Sequence, residues 1–394
     1  MKYVDEFRDG ALAARIAARI AAEVQPGRRY RFMEFCGGHT HAISRYGVTD
    51  LLPPAVTMIH GPGCPVCVLP IGRIDQAIAL ALDRGVTLAT YGDVLRVPAS
   101  PRPAAGSRGG EALSLLKARA LGADVRLVYS VADALALARA QPRREVVFLA
   151  IGFETTTPPT ALALRQAAAE RLDNFSVLSC HVLTPAAIAH LLDAAEARAL
   201  GTVPIDGFVG PAHVSVVIGT RAYERFARTH RKPVVIAGFE PLDVMQAVLL
   251  LVRQVNDGRA EVENEFSRAV TRDGNRTAQA VVDEVFEPRE SFEWRGLGEV
   301  PASALRIRPA YARWDAERRY ALAYRAVPDH PKCECGAILR GVKAPADCTL
   351  FGSVCTPSTP MGSCMVSSEG ACAAHFSYGR WRDAAPSASG VEAA

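Results

Sequence analysis

The strongest constraint on what this chain can fold into is its rhythm, in which short β-branched runs alternate with alanine- and leucine-rich stretches of helical period. Runs at 30–35, 55–60, 86–91, 125–129, 145–151, 176–180, 207–209 and 233–237 read as strands. Helical patterns at 73–84, 111–121, 159–172 and 185–200 lie between them. Such alternation builds parallel sheets with helices on both faces, because a parallel connection needs a crossover. The expected class is α/β, with two similar parallel-sheet domains facing a cleft. Their expected limits are 1–130 and 131–265. Residues 244–266 read as one long helix. Beyond it, prolines and six of the ten cysteines mark a third, cysteine-rich domain at 266–382, with a disordered tail at 383–394.

Polar motifs begin where the strand patterns end. CGGHTH occupies 36–41, GPGCPVC 61–67, GDVLR 92–96, GFETTTP 152–158, HVLTP 181–185, GPAHVS 210–215 and GFEPLD 238–243. Ligands of open α/β sheets bind outside the carboxyl ends of the strands, so these loops are the expected walls of a site.

Charge narrows the partners. Forty-five basic and 41 acidic residues leave a formal net charge of +4 in 394 residues, too balanced for a nucleic-acid or membrane-surface protein. No apolar run is long enough to span a membrane. The N-terminal stretch carries early acids and helical spacing, as a mature amphipathic helix does and a targeting peptide does not. The expected compartment is the cytoplasm, where thiols stay reduced and cysteines serve as ligands or nucleophiles.

Cys335, Cys348, Cys355 and Cys372 are separated by 12, 6 and 16 residues in a glycine-rich block. Four thiolates suit an iron–sulfur cluster or zinc, although paired zinc knuckles are missing. Cys333 and Cys364 are left over, as buried thiols or a redox pair. Cys64-Pro-Val-Cys67 stands ahead of a helical pattern and resembles a dithiol/disulfide couple, with half a zinc site as the alternative. Cys36, with Gly37, Gly38, His39 and His41 after it, reads as a metal ligand or a Cys–His pair. Glu154 and Thr155–Thr157 can bind a ligand or cap the next helix, His213 is a candidate site residue or a structural histidine, and Asp93 and Arg96 can pair or hold a charged ligand.

Taken together and in this order, CGGHTH, GPGCPVC, GFETTTP and the CX12CX6CX16C block resemble the HypD family of hydrogenase maturation proteins over about residues 30–378. The resemblance implies two related α/β domains and a third holding a [4Fe-4S] cluster on Cys335, Cys348, Cys355 and Cys372. It implies a scaffold that, with a HypC-like chaperone, carries a mononuclear iron while it gains carbon monoxide and two cyanides. The cyanides come from a HypE-like donor, and the large subunit of nickel–iron hydrogenase receives the product. By motif, Cys36 becomes the iron ligand with His39 beside it, and Cys64 and Cys67 the redox-active pair. GPAHVS departs from the family's usual GPGHVS at Ala212, next to His213. No nucleotide-binding signature is present in the sequence. Two other readings remain: a [4Fe-4S] thiol–disulfide oxidoreductase without mononuclear iron, and a zinc adaptor.

Overall fold

The computed structural model describes residues 5–102, 111–193 and 204–379. The expected tail at 383–394 and the end of the 185–200 helical pattern lie outside the described residues. Helix α1 (Gly10–Glu23) opens on an Asp9 cap, whose carboxylate accepts from Leu12 N at 2.9 Å. Its apolar stripe buries Ala13 and Ile20.

Each of the eight expected runs forms a strand: β1 (Tyr30–Glu34), β2 (Val56–His60), β3 (Thr87–Thr90), β4 (Val125–Leu127), β5 (Val146–Gly152), β6 (Phe175–His181), β7 (Gly207–Gly210) and β8 (Val234–Ile236). A ninth, β9 (Val262–Asn264), stands where the long helix was expected. The helix there covers only Pro241–Asn256; Gly258, at φ +65°, turns the chain away from it.

The strands pair in parallel into two sheets, in the orders β9-β8-β7-β1-β2 and β4-β3-β5-β6. This corrects the expected boundary near residue 131. The chain leaves the first sheet after β2, builds the whole second sheet, and returns at β7, which pairs with β1 through Phe32–Gly207, Met33–Phe208 and Glu34–Val209. A strand's local pattern reports its burial, not its neighbour; here the partners are some 175 residues apart.

The region after 266 is not one separate unit either. Val285, Phe286, Leu305, Ile307 and Trp314 share a core with Phe148, Phe175 and Val177 of the second sheet. Leu183 N donates to Ser303 O at 2.7 Å and Trp314 Nε1 to Leu172 O at 2.9 Å. The cysteine-rich block packs into a core shared with both sheets, Leu149 and Leu178 of the second included. One continuous core joins Met33 and Phe35 to Cys67, Trp294, Cys335 and Cys372. No helix of the described residues is long and apolar enough to cross a membrane.

Candidate functional site

Four loops at the carboxyl edge of the first sheet meet around Cys36. Strand β1 ends in Glu34, and Cys36, extended at φ −153° and ψ 127°, precedes helix α2 (Gly37–Tyr46). Its sulfur accepts the exposed N–H groups of Gly38 and His39 at that helix start. Only 8 % of Cys36 is exposed. Burial raises its thiol pKa far above the usual range, and Glu369 and Glu34 push it further. Glu34 is fully buried beneath it, accepting from Cys36 N at 3.0 Å, His60 Nδ1 at 2.8 Å and Thr40 Oγ1. Cys36 is therefore a protonated thiol in this buried setting.

The neighbouring His39 is buried and neutral, its pKa lowered by burial. Nε2 lies 3.1 Å from Ala237 O and 2.9 Å from Gly238 O, two acceptors that place the hydrogen on Nε2. Nδ1 keeps its lone pair and has no partner. The Phe239 ring lies between His39, at 4.8 Å, and His213, at 4.2 Å. A Cβ on Gly38 would come within 2.6 Å of that ring, and one on Gly37 would strike Glu369. These loops thus close tightly over Cys36, where an open cleft between the sheets was expected.

The CPVC motif is the next neighbour. Gly63 packs against the Cys36 backbone, and Gly37 N donates to Gly63 O at 2.9 Å. Cys64 and Cys67 form a disulfide with a Cα–Cα separation of 5.2 Å, and both are buried. They occupy a turn of their own, with Cys67 N donating to Cys64 O at 3.1 Å and to Cys64 Sγ at 3.2 Å. The following helix, α3 (Ile71–Asp83), begins only after Pro70. The expected helix N-terminus at the first thiol is therefore absent, and the turn's own N–H groups serve in its place. On the far side, Ser363 Oγ donates to Cys67 O at 2.6 Å and Arg295 N to Val68 O at 2.8 Å.

Those contacts lead into the cysteine-rich block. Cys335 heads a short helix (Cys335–Leu339) and its thiol meets those of Cys333, Cys364 and Cys372. Cys355 feels Cys333 and Cys348, and its sulfur accepts from Met361 N at 3.4 Å and from Gly362 N. A Cβ on Gly362 would stand 2.5 Å from both Cys333 Sγ and Cys335 Sγ, so the loop is shaped around sulfur. Hydrogen bonding from Cys335 pulls the Cys333 thiol down to about 7. Cys333 and Cys364, left over in the sequence, thus belong to the same group of thiols. Among the described residues, no three His, Cys, Asp or Glu side chains surround a single-ion site; sulfur packs on sulfur. Six soft donors around glycine-lined loops suit a polynuclear iron–sulfur group better than a single ion.

Other expected residues play supporting parts. Glu154 is buried and ties two loops of the second sheet together, accepting from Thr184 N at 2.9 Å and Thr184 Oγ1 at 3.0 Å. Thr156 and Thr157 hydroxyls bond back to Ile151 O and Phe153 O at 3.1 Å and leave the helix Thr157–Glu170 without a side-chain cap. Asp93 and Arg96 do not pair: Asp93 accepts from Ser367 Oγ at 2.8 Å, and Arg96 donates to Pro357 O at 3.0 Å. Both clasp the cysteine block. His213 is exposed, with its ring against Phe239. Sequence reasoning missed Glu34, Glu369, Phe239, Ser363 and Tyr223. The Tyr223 hydroxyl is buried without a partner, within electrostatic reach of Glu154 and Cys36. Glu369 sits three residues before Cys372 in the string SSEGAC, where no spacing singles it out.

The chain is similar to known proteins along nearly its whole length. A family model described as "HypD: Hydrogenase formation hypA family" matches residues 11–379. The chain is 72 % identical over 383 residues to the hydrogenase maturation factor HypD of Cupriavidus necator, covering 97 % of this chain and 98 % of that one. The HypD of Rhizobium leguminosarum bv. viciae is 67 % identical, with 97 % of each chain covered. That of Escherichia coli (strain K12) is 44 % identical, covering 96 % of this chain and 98 % of the relative.

Proposed function

This chain belongs to the HypD family of hydrogenase-formation proteins, and on that premise we propose that it is a maturation factor acting as an assembly scaffold. In this reading Cys36 holds one iron ion as cargo, shared with a HypC-like chaperone, and His39 sits beside it. Cyanide arrives from a HypE-like donor, and an Fe(CN)2CO unit leaves for the large subunit of a nickel–iron hydrogenase.

The observation that carries the reading is the continuity of sulfur. Gly63 joins Cys36 to the Cys64–Cys67 turn, and Ser363, next to Cys364, joins that turn to the cysteine block. Thiolate is a suitable soft ligand for low-valent iron. Cys64 and Cys67 form a two-electron couple beside it. A [4Fe-4S] cluster, when bound in the block, supplies single electrons. Cys348, Cys355 and Cys372 are three of its ligands. The fourth in this reading is Cys335, whose thiol meets that of Cys372.

The test is an infrared spectrum of the chain purified without oxygen together with its HypC-like partner. Bands from iron-bound cyanide and carbon monoxide are expected, and Cys36→Ala removes them while the brown cluster absorbance stays. Cluster absorbance without such bands in the wild-type complex would leave a thiol–disulfide oxidoreductase. A colourless protein with one zinc per chain would overturn both.

A further inference from the structure

Arg295 is a cation in an unusual place. It is 4 % exposed and follows the strand β10 (Ser291–Trp294), at the seam between the CPVC turn and the cysteine block. Its backbone N–H donates to Val68 O at 2.8 Å, one residue beyond Cys67. The next residue, Gly296, is at φ +85°, and a Cβ there would stand 2.9 Å from Gly336 Cα, adjacent to Cys335. No side chain fits between this turn and the cysteine helix.

The guanidinium is only partly satisfied. Nε donates to Asp329 Oδ1 at 2.7 Å and Nη2 lies 2.5 Å from the same oxygen. Nη1 is buried without any partner. Buried donors are almost always paired, so an orphaned one beside a ligand site marks where something else accepts. The groups in electrostatic reach besides Asp329 are the thiols of Cys335 and Cys333. Arg340, another cation close by, gives Nη1 to Gly296 O while its buried Nε has no partner, but Arg340 is only half-buried, and Cys335 and Cys333 act on Arg295.

We infer that Arg295 is the buried counter-cation of the cysteine site, with Nη1 the donor that a sulfur of the bound iron–sulfur group accepts. It is a positioning residue, and the inference rests on the iron–sulfur reading above. Reduction adds an electron to the group and breaks no bond. A fixed positive charge and a hydrogen bond to sulfur favour the reduced form and raise the reduction potential. Asp329 opposes it through the same guanidinium. The potential is thus set between the Asp329 carboxylate and the Arg295 cation, at the point where the dithiol turn touches the block.

The test is a dithionite titration of full-length protein reconstituted with iron and sulfide, followed by electron paramagnetic resonance. Arg295→Met is expected to lower the midpoint, Arg295→Lys to fall between it and wild type, and Asp329→Asn to raise it. Wild-type midpoints in both Arg295→Met and Asp329→Asn would overturn the inference, leaving Arg295 a packing residue. Should Arg295→Met fail to fold, Asp329→Asn decides alone. Wild-type protein that takes up no iron–sulfur group would instead sink the underlying reading, and is told apart by iron and sulfide content before any titration.

Discussion

Glu154 has an ordinary carboxyl in the unfolded chain, but burial raises its pKa to about 7 in the fold. The folded state therefore binds the proton more tightly. Its contribution to stability is complete below the unfolded pKa and is lost as pH rises through about 7. Glu154→Gln keeps an acceptor for Thr184 and removes the titration. The wild type is expected to lose stability relative to this variant between pH 5 and 7.5, by at most about 3 kcal/mol. Urea unfolding at several pH values checks this; parallel curves for the two proteins would refute it. At this scale the sequence was informative where chemistry was local: Cys36, His39, Cys64 and Cys67 could be singled out because each stands among glycines at a strand end. It was uninformative about Glu34, Glu369 and Arg295. Their importance comes from burial against partners far along the chain, which no spacing records.

Between elements, the site depends on close backbone approach. Gly63 touches the Cys36 backbone, so Gly63→Ala must separate β1 from the CPVC turn. The expected cost is about 1–3 kcal/mol, as for overpacking in a tight core, together with loss of iron binding at Cys36. The control is Gly85→Ser: that glycine has a positive φ and nothing within 4 Å, so the substitution strains the backbone without moving the site. Equal iron retention in both variants would argue against the contact. Ser363→Ala removes the hydroxyl that Cys67 O accepts, at an expected cost of about 1 kcal/mol. On the proposed reading it should also slow electron exchange between the dithiol and the block, measured as the rate of Cys64–Cys67 reduction under continuous photoreduction, which supplies the two electrons one at a time. An unchanged rate would mean that this hydrogen bond only packs the loop. The first eight strands were legible because their β-branched runs are bounded by polar loops. The short β9 was not, because Glu263 and Asn264 interrupt any apolar pattern and the preceding helix periodicity runs up to it.

For the whole molecule, topology decides how it can come apart. The two halves have the same rhythm, so the sequence could not say that β1 and β2 wait for strands from beyond residue 206. A fragment of 1–130 holds β1 and β2 of one sheet with β3 and β4 of the other, and each pair lacks its remaining neighbours. The central edges of both sheets would be bare, with unpaired N–H and C=O groups. Such a fragment is expected to show no cooperative unfolding and poorly dispersed amide resonances, and the fragment 131–265 likewise. The full chain, with one core running from Met33 through Trp294 to Cys372, is expected to melt in a single transition. An isolated 1–130 fragment with a sharp thermal transition would contradict the interleaved pairing. The same interleaving explains why the sulfur sites lie together. A chain that must return to its first sheet brings GPAHVS, GFEPLD and then the cysteine block back to the strand ends from which CGGHTH and GPGCPVC set out, so the cysteines come together only when both sheets are complete.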